Sequence, residues 1–167
     1  RAKPEIAAEH MELGLGIHGE PGKSVVPVAP AAAAVRAMVD AILCPGTDAW
    51  APLLPSSPQS LQCALFVNNL GALTDIELNV VTREAIAAVR ERCGTASVVR
   101  VASGRYMTAL AMRGVSVTLL RLDDGAQEML DGLDDARSPT MPHFVTVGHP
   151  AAATPPTTSV VDAAASQ

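Results

Sequence analysis

Hydrophobic and polar residues alternate from Met11 to Ile17. Met11, Leu13, Leu15 and Ile17 share one side, and Glu12, Gly14, Gly16 and His18 share the other. A period of two predicts a half-buried strand, and Gly19 to Gly22 (Gly-Glu-Pro-Gly) ends it in a tight loop. Over Ala31 to Leu43 the period changes. Val35, Met38, Val39, Ile42 and Leu43 form one helical stripe, core or subunit interface, which Cys44-Pro45-Gly46 stops. Thr47 to Ser60, rich in Pro and Ser, reads as a surface excursion. Cys63 to Val67 is a short unbroken apolar run, the pattern of a strand covered on both faces.

Asn68-Asn69-Leu70-Gly71 then turns the chain. A second helix follows, capped by Thr74 with Glu77 three residues on, the spacing of a capping box. It extends to about Cys93, with Ile76, Val80, Ile86 and Val89 expected inward and Gly94 placed to end it. Val98 to Ala102 and Val115 to Leu122 are β-rich, with Ser103-Gly104 between them. Met107 to Met112 fits a short strand or a helical turn equally well, and Ala126 to Leu133 reads as a short helix. No internal repeat is visible. The order predicts an α+β fold, a mixed sheet with helices mainly on one face.

Composition narrows this picture. The chain has 167 residues, 49% apolar and 17% charged, enough to bury a core built from aliphatic side chains, since aromatics make up only 2%. After about Pro139 the composition shifts. Ala, Pro, Thr and Ser dominate Ala151 to Gln167, so residues 145–167 are expected to be a flexible linker or tail, with the folded unit spanning 1–144. Net charge is −5 with no basic block, which argues against a nucleic-acid surface. No apolar run approaches the ~18–20 residues of a membrane span. Cys44, Cys63 and Cys93 are widely spaced and odd in number, as expected of free thiols in a reducing cytoplasm. The start at Arg1, with no secretory pattern, reads as an internal fragment.

Two phosphate-loop patterns overlap one segment, and both fail on physical grounds. Gly14 to Gly19 satisfies GxGxxG, yet its first glycines fall inside the expected strand and Pro21-Gly22 follows where a helix should start. Gly16 to Ser24 ends in Gly-Lys-Ser but is wrong by one position; Glu20 would set a carboxylate against phosphate, and Pro21 lacks an amide donor. His18 gives the segment a better meaning. Its reference pKa of ~6.5 leaves it neutral and nucleophilic near pH 7, and glycines beside it leave room for a small molecule. On pattern alone, a histidine entering a turn is more often structural.

Other candidates are weaker. Asn68 and Asn69 could face a site, although turn-forming Asn is commoner. Asp123-Asp124-Gly125 lacks further ligands at calcium-loop spacing and reads as an exposed turn. His10, His143 and His149 are scattered, and neither Ser103-Gly104 nor Ser116 lies in a GxSxG elbow.

Three segments together carry a resemblance. Met11 to Gly22 (MELGLGIHGEPG) resembles the substrate-histidine motif of dihydroxyacetone (glycerone) kinases. Leu65 to Gly71 (LFVNNLG), followed by Glu77-Leu78, and Met107 to Leu120 (MTALAMRGVSVTLL) resemble two further signatures of that family, in order. The likeness covers roughly Glu9 to Asp131 and fits the second half of the substrate-binding K domain; Val25 to Ser60 matches only loosely.

The resemblance implies that His18 is catalytic, bonding through a ring nitrogen to the carbonyl carbon of dihydroxyacetone as a hemiaminal, with Gly16 and Gly19 at the substrate. It implies a homodimeric, cytoplasmic kinase of glycerol metabolism in which ATP and Mg²⁺ bind outside this chain. The general base and other substrate contacts would belong to the first half of the K domain, and the tail would lead to a nucleotide-binding domain. The fragment alone would then be inactive. Some animal relatives also split FAD. The competing expectation is a non-catalytic carbonyl-metabolite-binding or regulatory domain on the same scaffold.

Overall fold

The computed structural model describes residues 6–16, 20–43, 62–94, 97–135 and 144–147. The expected surface excursion at 47–60, Cys44, His143 and His149 lie outside them.

The chain opens with a hairpin. Strand β1 (His10–Leu13) pairs antiparallel with β2 (Ser24–Pro27), from His10 opposite Pro27 to Leu13 opposite Ser24. The strand expected to reach Ile17 therefore stops at Leu13. Gly14 takes φ +72, a left-handed conformation that ends the pleat and turns the chain out of the ladder. β2 was not expected, because Ser24 to Pro27 is too short and too Pro-flanked to show a period.

Helix α1 (Ala31–Leu43) starts at Pro30, whose carbonyl accepts from the amides of Ala33 and Ala34, and it buries Val35, Val39 and Leu43. Strand β3 (Cys63–Asn69), helix α2 (Asp75–Cys93) and strand β4 (Val98–Gly104) form a β-α-β crossover in which β3 and β4 run parallel. Strand β5 (Val115–Arg121) lies antiparallel on the other side of β3. Helix α3 (Asp124–Asp135) and the short strand β6 (Val145–Thr146) complete the described chain. The order β5-β3-β4-β6 makes a mixed sheet.

Burial follows from strand position. β3 is central and apolar on both sides. Cys63, Leu65 and Val67 face a core shared with Val35, Val39 and Leu43 of α1 and Leu78, Val81, Ala85 and Val89 of α2. Ala64 points the opposite way, to a smaller cluster with Leu122 and Leu130 that draws in Phe144. The two long helices thus share one face, as the pattern predicts, and α3 alone covers part of the other. Arg36–Glu91 (2.6 Å) and Arg92–Asp40 (2.7 Å) link α1 and α2 along their exposed sides.

Several local expectations need correction. Thr74 and Glu77 form the capping box and Gly94 ends α2, but the inward stripe is Leu78, Val81, Ala85 and Val89. Of the four residues expected inward, Val89 is buried and Ile86 packs against the core, whereas Ile76 is 78% exposed and Val80 40%. Met107 to Met112 is neither strand nor helix. It is an irregular loop with Ala111 at φ 56. Residues 145–147, expected in the linker, are tied to the sheet: Val145 and Thr146 pair with β4, and the Val147 amide donates to the Val99 carbonyl (3.0 Å). The rest of that segment lies outside the described residues.

Candidate functional site

Two regions carry the motifs that the sequence singles out. The first is the end of the sheet to which the parallel strands β3 and β4 point. Here the segment after β3 (Leu70 to Thr74) meets the loop between β4 and β5. The Leu70 amide donates to the Gly114 carbonyl (3.0 Å), the Ala109 amide to the Leu70 carbonyl (2.8 Å), and the Ala72 amide to the Met112 carbonyl (3.0 Å). Gly71, at φ +144, makes the approach possible, since a Cβ there would stand 2.3 Å from the Ala109 carbonyl oxygen. Only glycine tolerates both the conformation and the contact.

Asn68 and Asn69 hold this arrangement from inside, at 1% and 0% exposure. Asn68 Oδ1 accepts from the amides of Tyr106 (2.9 Å) and Met107 (3.0 Å), while Nδ2 donates to the Met107 carbonyl (2.8 Å). Asn69 Oδ1 accepts from the Gly71 amide (2.9 Å), and its Nδ2 donates to the Leu73 carbonyl (2.7 Å). A buried amide engaged on both ends satisfies neighbouring backbone groups that would otherwise be orphaned. Both asparagines are therefore loop braces rather than substrate contacts, the commoner of their two readings.

Around them, Thr82 Oγ1 lies 2.9 Å from Ser103 Oγ, and Arg105 pairs with Asp75 (2.8 Å), joining α2 to the end of β4. Tyr106 rests over Gly104 and stacks on Phe66 at 5.0 Å between ring centroids; burial pushes its phenol pKa up. The rest of the loop projects outward, with Leu110 fully exposed.

The second region is the loop that joins β1 to β2. The Gly22 amide donates to Glu12 Oε1, across ten residues of chain. A Cβ on Gly22 would lie 2.4 Å from Glu12 Cγ and 2.7 Å from the Leu13 carbonyl oxygen. On Gly14 it would lie 3.1 Å from Lys23 Cβ, and on Gly16 2.1 Å from Glu20 Oε2. The two stems of the loop thus press together with a glycine on one side of each contact. His18 and Gly19 belong to this loop by sequence and lie outside the described residues. Gly16 is described, half-buried, with the Glu20 carboxylate against it. Sequence reading missed Glu12, although alternation placed it on the same side as Gly14, Gly16 and His18. A carboxylate inside a strand ten residues from a Pro-Gly turn was the available signal.

The remaining candidates resolve into structural parts. Asp123 caps α3, its Oδ1 accepting from the Ala126 amide (2.9 Å). His10 begins β1, its amide donating to the Ala7 carbonyl. Burial, reinforced by the nearby Cys93, pushes the Cys63 thiol up to about 12, so it stays protonated and unreactive.

A nucleotide with Mg²⁺ requires oxygen ligands and a cradle of amide donors. Among the described residues, no group of three or more His, Cys, Asp or Glu could hold a metal ion. The Glu20 carboxylate lies against Gly16, and a carboxylate there repels phosphate. The described residues therefore do not fit that group.

The chain is similar to known proteins over most of its length. Residues 1–138 match the Dak1 domain. The chain is 36% identical over 140 residues to the triokinase/FMN cyclase of Rattus norvegicus, covering 84% of this chain and 23% of that protein. It is 35% identical over 134 residues to the dihydroxyacetone kinase of Citrobacter freundii, covering 77% and 21% respectively. The solved structure of a dihydroxyacetone kinase from C. freundii, in complex with AMP-PNP and Mg²⁺, superposes with a TM-score of 0.67 at 28% identity, over 99% of this chain and 27% of the other. The chain spans about a quarter of the length of these relatives. With its three motifs, its mixed sheet and its glycine-framed hairpin loop, the chain belongs to the dihydroxyacetone kinase family, matching its Dak1 domain over residues 1–138.

Proposed function

We propose that this chain is the substrate-holding part of a dihydroxyacetone kinase and that His18 anchors the ketone covalently. The observation that carries the reading is the β1–β2 loop. Its stems are fixed by glycine contacts and by the Glu12–Gly22 hydrogen bond, and the motif histidine lies in the middle of it.

The chemistry needs nothing beyond the imidazole. The unprotonated ring nitrogen adds its lone pair to the carbonyl carbon of dihydroxyacetone. The C=O π pair moves to oxygen, and the proton lost from the other ring nitrogen ends on that oxygen, so a neutral hemiaminal forms with no leaving group. Glycerol has no carbonyl and cannot react, so the bond itself selects the substrate class. Protonation removes the lone pair, so the adduct weakens below the imidazole pKa, ordinarily ~6.5. Gly16 and Gly19 flank His18 in the sequence and are read as the substrate-side glycines, although at Gly16 the place a side chain would take is held by the Glu20 carboxylate.

Phosphoryl transfer belongs to the intact protein, read as a cytoplasmic homodimer. There the donor, ATP with Mg²⁺, and the general base are supplied outside this chain, so the chain alone is inactive as a kinase.

The test uses the intact protein with dihydroxyacetone, observing the adduct by crystallography or by intact-mass spectrometry. His18→Ala is expected to lose the adduct and most of the discrimination against glycerol. Unchanged affinity and selectivity in that variant would remove His18 from the mechanism. An adduct on the wild type without any phosphoryl transfer by the intact protein would favour the non-catalytic binding domain instead.

A further inference from the structure

We infer that Glu12 is a positioning residue for His18: its carboxylate clamps the loop that carries the histidine, through the Gly22 amide. The inference deepens the proposal above and rests on His18 being the anchor.

Four observations support it. The β1–β2 ladder ends at Leu13 opposite Ser24, so the Gly22 amide lies beyond the last cross-strand pair and has no ladder partner. Glu12 Oε1 takes that donor. It does so from inside β1, where Glu12 stands opposite Val25, so the side chain reaches along the hairpin toward the loop. Gly22 is pressed so close to Glu12 Cγ and the Leu13 carbonyl that no Cβ fits, which makes the contact specific to glycine. On the near side of His18, Gly14 at φ +72 sits against Lys23 and Gly16 lies under the Glu20 carboxylate, so both stems are held.

Glu12 thus links the two stems through a polar contact beside the glycine contacts. A charge-assisted bond to a backbone amide is about twice as strong as a neutral one. A hairpin with four residues per strand has little stability of its own, so one such bond matters to the conformation of its loop. A covalent anchor demands more precision than ordinary binding, because the ring nitrogen must meet the carbonyl carbon along one direction.

The experiment compares Glu12→Leu, Glu12→Gln and Gly22→Ala in the intact protein, with His18→Ala as the reference. Dihydroxyacetone affinity, adduct occupancy and its pH profile are measured beside thermal unfolding. Glu12→Leu keeps the bulk and loses the acceptor. It is expected to weaken apparent affinity about tenfold, the scale of one lost hydrogen bond, with the melting temperature and the shape of the pH profile unchanged. Glu12→Gln keeps an acceptor oxygen and should stay within about threefold of wild type. Gly22→Ala breaks the same contact from the other side and should copy Glu12→Leu.

Wild-type adduct formation by both Glu12→Leu and Gly22→Ala, while His18→Ala loses it, would overturn the positioning role and leave the anchor intact. A shifted pH profile would make Glu12 an acid–base partner and overturn it as well. A parallel fall in melting temperature that accounts for the lost affinity would reduce Glu12 to a fold residue. Retained adduct in His18→Ala would instead overturn the reading on which the inference rests.

Discussion

The end of the β3–β4 sheet and the β1–β2 loop are both tight, glycine-dependent turns that carry family motifs, yet they spend their polar groups in opposite ways. At the sheet end, Asn68 and Asn69 are buried and engaged with backbone on both ends of their amides, so they brace and cannot recognise. In the hairpin loop, the brace is the Glu12 carboxylate, which can only accept and takes the Gly22 amide. A conspicuous polar residue beside a glycine turn is thus a different object in the two places. What separates them is that the asparagine amides both donate and accept, whereas the carboxylate only accepts.

The comparison can be broken most severely at Asn68. Replacing it with Ala removes three backbone-directed hydrogen bonds from a site with 1% exposure, and should cost about 2–4 kcal/mol in denaturant unfolding of the intact protein. If Asn68 were a substrate contact instead, stability would hold and only affinity would fall. Gly71→Ala forces a Cβ onto the Ala109 carbonyl at a positive φ and should cost about 1–3 kcal/mol by the same measurement. Gly22→Ala, its counterpart in the hairpin loop, should leave global unfolding nearly unchanged while impairing the adduct, and equal losses of stability at the two glycines would erase the distinction.

Thr74→Ala tests ordinary helix grammar at the sheet end. It removes the acceptor for the Glu77 amide and should cost about 1 kcal/mol. The last effect is confined to alkaline pH. The folded Cys63 thiol titrates at about 12, well above its unfolded value of ~8.5. Its contribution to stability is complete below the unfolded value and is lost as pH rises from there toward the folded one, because only the unfolded chain releases that proton. Cys63→Ala should make stability flatter across the alkaline range, by at most one proton in slope, as measured by urea midpoints at several pH values.

Much of the framework was legible in the sequence. Cys63 to Val67 showed a two-face-buried strand because a central strand needs apolar residues at every position, and β3 is central. Thr74, Glu77 and Gly94 marked the ends of α2 because capping is a local transaction among a few residues. The stripe of α1 was readable for the same reason of short range. Three sequence motifs in order were enough to point to the family.

Other features depended on contacts distant in sequence. Which face of α2 is buried depends on where α1 and the sheet lie, so Ile76 and Val80 turned outward against the expected stripe. β6 exists only because β4 offers it an edge, and a two-residue strand has no period to read. The irregular loop over Met107 to Met112 is shaped by an asparagine some forty residues earlier.

The sequence by itself determined the elements, their order and the residue types available for chemistry, since helix caps, strand alternation and glycine turns are set by neighbours a few positions apart. Tertiary structure alone decided that Asn68 and Glu12 are committed to the backbone. Their hydrogen bonds join groups from ten to nearly forty residues apart, and no local pattern encodes those pairings, whereas Asn69 bonds only to Gly71 and Leu73 a few positions on.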